Sequence, residues 1–124
     1  MTINIDNFRI IRDLIAAQPP EHCDMTEWKC GTVACIGGWT ENYLIQNGVV
    51  DPSTYNNVEP KICAFLGIDM NEASLLFYDF PDMDTLPPHT TWQEWMLKRL
   101  DSCIEAGTVP ELPITNYDIT VVHS

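Results

Sequence analysis

Cys30-Gly31-Thr32-Val33-Ala34-Cys35-Ile36-Gly37-Gly38-Trp39 is the stretch on which the architecture turns. Thr32 has the side chain of a helix cap, and Asn47-Gly48 supply a stop signal, so a helix is expected from Thr32 to Gln46. Its interior holds Gly37 and Gly38, each costing about 1 kcal/mol relative to Ala. Something must offset that cost. Close approach of another helix is the simplest means, with Ala34 and Gly38 forming a small-residue face at four-residue spacing. Cys35 and Trp39, also four apart, would then share a buried face.

On the N-terminal side, Phe8, Ile11, Leu14 and Ile15 recur at helical spacing, predicting a helix from Asp6 to Ala17 with Asp6 as its cap. Pro19-Pro20 stop it, and Glu21 to Gly31 is a loop or single turn holding Trp28. On the C-terminal side, Val50 to Asn57 reads as a loop with an Asp-Pro turn signal. A third helix fits Val58 to Leu66, with Pro60 in its first turn. A short fourth fits Asn71 to Tyr78. Thr91-x-x-Glu94 has capping-box spacing and Gly107 suits a helix end, so the fifth runs from Trp92 to Ala106. Pro110 and Pro113 forbid helix beyond it, and Tyr117 to Val122 alternates as a lone strand or extended tail. The expected fold is all-α: a compact bundle of four to five short helices over residues 1–107, then a Pro-containing tail over 108–124 packed on it or extending from it.

The 124 residues carry 6 Lys+Arg against 18 Asp+Glu, a formal charge of −12. Nucleic acid polymers and anionic membranes are therefore excluded as partners, since both need a basic surface. Basic protein surfaces and cations are what such a field attracts. No apolar run reaches the roughly 18 residues of a membrane span, and the N-terminus MTINIDNFRI lacks the pattern of a signal peptide. A cytoplasmic location is expected, with Cys23, Cys30, Cys35, Cys63 and Cys103 reduced.

The segment 30–39, preceded by NFRIIRDLIA and followed by LGI and EASLLF, resembles a family of small bacterial and tailed-phage proteins that share a CGTxxCIxGW motif. The resemblance runs from about Asn7 to Gly107, and the matching residues are Asn7, Phe8, Arg9, Arg12, Cys30, Gly31, Thr32, Cys35, Gly37, Trp39, Leu66, Gly67 and Phe77. The resemblance implies a small helical fold and a phage or bacterial origin, with the host cytoplasm as location if phage-encoded. It brings no activity with it, and the tail after Gly107 falls outside the pattern.

Three chemistries fit residues 30–39. Tight packing explains every residue type in it. A metal site would use Cys30 and Cys35 with His22 and Cys23 upstream, but zinc pairs ordinarily come as two short knuckles and no second pair exists. A reactive thiol would use Cys30 just ahead of a helix, where the dipole lowers a thiol pKa, but His22, His89 and His123 stand at no spacing that supports a dyad. The packing reading is adopted: no metal, no cofactor and no catalytic residue are expected.

Two other features bear on function. Between Lys61 and Lys98 there is no Lys or Arg, while Asp69, Glu72, Asp79, Asp82 and Asp84 are interleaved with aromatics. They form a candidate acidic face for docking the basic surface of a host protein. Asp82-x-Asp84 fails as a calcium loop because its glycine and closing Glu are missing. Second, Trp28, Trp39 and Trp92, with Arg9 and Arg12 to meet phosphates, could line a pocket for a nucleotide-like small molecule. The expected function is a small acidic non-catalytic binding protein that inhibits a host defence protein. The alternatives are sequestration of a nucleotide-like signal and a Cys- or metal-dependent enzyme.

Overall fold

The computed structural model describes residues 2–51 and 58–111. Among them are five helices: α1 (Ile5–Ala16), α2 (Ile36–Gln46), α3 (Val58–Leu66), α4 (Met70–Phe77) and α5 (Trp92–Ala106). The only strands among the described residues are β1 (Lys29–Cys30) and β2 (Val33–Ala34), an antiparallel pair that sets Lys29 against Ala34 and Cys30 against Val33. The chain is all-α, as the periodicity predicts. The strand expected at 117–122 lies outside the described residues. Of the tail, Val109 is buried among the core side chains.

The helices form where apolar spacing and end signals agree. Phe8, Ile11 and Ile15 put one face of α1 into the core, Ile62 and Leu66 do so for α3, and Trp95, Met96, Leu100 and Cys103 for α5. The α5 capping box is formed by Thr91 and Glu94, and Gly107 ends the helix in left-handed backbone at φ 74°. A second capping box opens α4, where Asp69 accepts the Glu72 N–H at 2.8 Å and Glu72 accepts the Asp69 N–H at 3.1 Å. The cap of α1 is Asn4 rather than Asp6, because Asn4 Oδ1 is the oxygen that reaches the Asn7 N–H, at 3.1 Å. Just before it, the Ile3 N–H donates to Gly107 O and the Asn4 N–H to Leu66 O, tying the chain start to the ends of α5 and α3.

The glycine-containing stretch departs from the expected helix. Its first residues form the β1–β2 hairpin, turned by Gly31 at φ 62° and exposed Thr32. Gly31 tolerates the left-handed turn and β-branched Val33 favours extended backbone, so α2 starts only at Ile36. The cap is Cys35, whose Sγ accepts the Gly38 N–H at 3.5 Å. What approaches Gly37 and Gly38 is also not a helix. A Cβ on Gly38 would stand 1.7 Å from the Trp28 carbonyl oxygen and 2.8 Å from the Ala34 Cβ. A Cβ on Gly37 would stand 2.3 Å from the Trp28 ring. The missing side chains make room for the residue that leads into β1.

Arg99 lies on the core face of α5 and is fully buried. Its Nη2 donates to the Leu75 carbonyl at 3.2 Å, in the last turn of α4, where helix carbonyls lack internal partners and the dipole is negative. Desolvation lowers its pKa, yet a guanidinium remains charged. The end of α4, and with it Phe77 and Tyr78, is thus held from beneath by a buried cation.

Gly38→Ala is expected to destabilise the protein by roughly 3 kcal/mol despite the better helix propensity of Ala, because backbone must move to admit the methyl. Urea denaturation measures this, and Gly48→Ala should cost less, because its Cβ would meet nothing within 4 Å and only its left-handed backbone, at φ 73°, opposes the methyl.

Candidate functional site

Trp28 is fixed from four directions. Its ring lies over Gly37, its carbonyl accepts the Cys35 N–H at 3.4 Å, and its Nε1–H donates to Glu41 Oε1 at 2.8 Å. On the remaining side it meets Phe77 edge-on with centroids 5.5 Å apart and Tyr78 nearly parallel, 22° between planes at 6.1 Å. Glu41 is one helical turn beyond Gly37 and only 2% exposed. A carboxylate this deep needs compensation. It has two donors: the Trp28 indole on Oε1 and the Lys29 ammonium on Oε2 at 2.8 Å. Neighbouring residues of the hairpin arm thus grip both oxygens of one acid on α2.

Above this arrangement opens a cleft of about 370 Å³, lined among the described residues by Trp28, Lys29, Glu41, Val58, Glu59 and Tyr78. Tyr78 caps the end of α4 and is 54% exposed, and its hydroxyl donates to Glu59 on α3. Desolvation and then the bond to Glu59 push its pKa up to about 12, so it remains a phenol and a donor throughout the physiological range. A second cavity, of about 260 Å³, is lined by Met25, Thr26, Cys35, Phe77 and Phe80 together with the same Trp28 and Tyr78. The two rings therefore border both spaces.

The residues expected to bind a nucleotide-like ligand do not converge. Trp28 lines the cleft. The Trp39 indole donates to the His22 carbonyl at 3.2 Å, and Trp92 packs edge-on against Phe80 and Trp95. Arg9 faces Asp6, and Arg12 is engaged by Asp101 at 3.0 Å, both from α1. The proposed acidic face divides similarly. Asp69 and Glu72 are occupied by the α4 capping box, whereas Asp79, Asp82 and Asp84 are exposed beyond the other end of that helix.

Four of the five cysteines, Cys23, Cys35, Cys63 and Cys103, are buried. Cys30 is exposed on the hairpin and stands ahead of a strand turn, not a helix, so the dipole argument for its reactivity loses its premise. Cys35 does occupy a helix cap, but burial outweighs the N–H groups around it and raises its pKa. Burial likewise pushes the Cys23 and Cys103 thiols up to about 11. No cluster of three or more His, Cys, Asp or Glu side chains with metal-binding geometry occurs among the described residues. No helix among them is long and apolar enough to cross a membrane.

Lys29, Glu41, Val58, Glu59 and Tyr78 were not singled out by sequence reasoning. For Glu41 a signal existed: it is the one charged residue of α2 and lies four residues after Gly37, so it shares the glycine's face. Nothing local marks Glu59, because its role comes from the approach of α3 to the end of α4. Compared with known proteins, the chain matches no family model, no curated protein and no solved structure.

Two outcomes are expected. Glu41→Gln presents an amide donor where Lys29 Nζ needs an acceptor and should cost about 2–3 kcal/mol, measured by chemical denaturation. A colourless-to-yellow thiol assay near neutral pH should show one fast-reacting group, abolished in Cys30→Ser, with the other four reacting only on unfolding.

Proposed function

We propose that this chain is a non-catalytic binding protein and that the cleft bordered by Trp28 and Tyr78 is its recognition site. One observation carries the reading: half-exposed Tyr78 stacks on Trp28, which a fully engaged buried carboxylate holds, beside an open space of about 370 Å³. Rigid aromatics at a cleft mouth are the usual anchors of an interface, since they bury much area at little entropic cost. The net charge of −12 supports a basic partner surface, drawn in by the field and aligned by Asp79, Asp82 and Asp84, which follow Tyr78 in the chain. The resemblance of the 30–39 motif to phage proteins extends the proposal: the partner is a host defence protein in the bacterial cytoplasm.

The nucleotide reading retains its aromatic wall but not its arginines. Arg9 and Arg12 are paired on α1, and the cleft presents two carboxylates against one ammonium. Phosphate would enter an unfavourable field. A thermal-shift screen across basic peptides, acidic peptides and nucleotides tests the proposal. A ligand at 100 times its Kd adds about 2.7 kcal/mol of stability. The shift should come from basic peptides and should vanish in Tyr78→Ala, whose exposed ring can be removed without opening the core. A nucleotide shift that survives Tyr78→Ala would overturn both the ligand and the site.

A further inference from the structure

We infer that the cleft receives the guanidinium of an arginine side chain presented by a partner protein. This rests on the cleft being the recognition site and adds what it recognises. Glu41 is not the receptor: each of its oxygens already holds a donor, and Lys29 balances its charge. That leaves Glu59. Its hydrogen-bond partner among the described residues is the neutral hydroxyl of Tyr78, and it forms no ion pair among them, since the Lys29 of the same cleft is engaged by Glu41. A carboxylate offers about four lone-pair sites, and one phenol uses one of them.

The other walls fit the rest of an arginine. Tyr78 stacks on Trp28 at 22° and is half exposed, so it offers an aromatic ring, backed by the indole, on which a planar cation can rest. Val58 gives apolar surface to the methylene stem. Lysine would satisfy the charge but neither stack on the rings nor meet Glu59 with two parallel donors. The volume, about 370 Å³, is near the lower end of the roughly 300–1,000 Å³ range of ligand sites, a size for one side chain rather than a dinucleotide. Lys29 adds direction. Its ammonium repels a second cation at the Glu41 side, so the guanidinium approaches from the Glu59 side.

The experiment uses the full chain, isotope-labelled, with the Trp28 indole N–H as reporter, assigned by its loss in Trp28→Phe. Probes are a glycine-flanked arginine peptide, the same peptide with lysine or with neutral citrulline, free agmatine, and AMP. The arginine peptide should shift the Trp28 signal saturably, and the lysine and citrulline peptides should bind at least tenfold more weakly. Glu59→Gln still accepts the Tyr78 hydrogen bond and should melt like the parent, yet lose tenfold or more in affinity for the arginine peptide. Agmatine should bind more weakly than the peptide; equal or tighter binding would overturn the protein source. Citrulline binding as well as arginine, or an unaffected Glu59→Gln, overturns the cation assignment while leaving the cleft as the site. Perturbation of Trp28 by AMP alone has the same consequence. Binding of the arginine peptide with no change at Trp28 overturns the cleft itself, and silence from every probe overturns both readings.

Discussion

Trp28 seated on Gly37 and Gly38 is the contact from which the rest of the site follows. The distance that a Gly38 Cβ would leave to the Trp28 carbonyl, 1.7 Å, shows that backbone packs on backbone there. That approach fixes the hairpin over the first turn of α2. It also aims the Trp28 indole and the Lys29 ammonium at the same side chain, Glu41, one turn further along. Two residues with poor helix propensity are retained because their absent side chains provide the seat. The cost of about 1 kcal/mol each is set against burial of a large aromatic surface and two charge-assisted hydrogen bonds.

Buried charge is handled in two ways. Glu41 is paired and hydrogen-bonded on both oxygens, the arrangement that makes an interior carboxylate tolerable. Arg99 is more sparingly provided. One nitrogen meets the Leu75 carbonyl, while Nε and Nη1 have no hydrogen-bond partner among the described residues, and Asp79 contributes attraction from a distance. Its compensation comes from the negative end of α4. Both charges act on the same element pair, since Glu41 positions Trp28 and Arg99 holds the helix end that carries Tyr78. The two rings of the cleft wall thus rest on two buried ions of opposite sign.

The acidity of the chain takes on a more local meaning. Much of it is exposed charge that sets solubility and long-range attraction. Asp69 and Glu72 serve helix capping, and Asp101 holds Arg12. Glu59 differs because it lines the cleft beside half-exposed Tyr78 and forms no ion pair among the described residues, the cleft's Lys29 being engaged by Glu41. Recognition is proposed to follow from that pairing of π surface and carboxylate, with the general field delivering the partner.

Sequence alone determined the helical class, the positions of α3, α4 and α5 to within a residue or so, and the capping box of Thr91 and Glu94. These depend on side-chain periodicity and on hydrogen bonds spanning three residues, which are local quantities. It also indicated that Gly37 and Gly38 need a close neighbour. Tertiary structure decided which neighbour. Thr32 is a good cap in isolation, but the docking of Trp28 requires the chain to turn at Gly31, so the cap moves to Cys35. The cleft was legible only through Trp28. Glu59 and Tyr78 are 19 residues apart in the chain and become a site only when α3 and the end of α4 converge. Arg99 reads as a surface residue on any local pattern, and its burial follows from the unpartnered carbonyls of a helix that sequence cannot place against it.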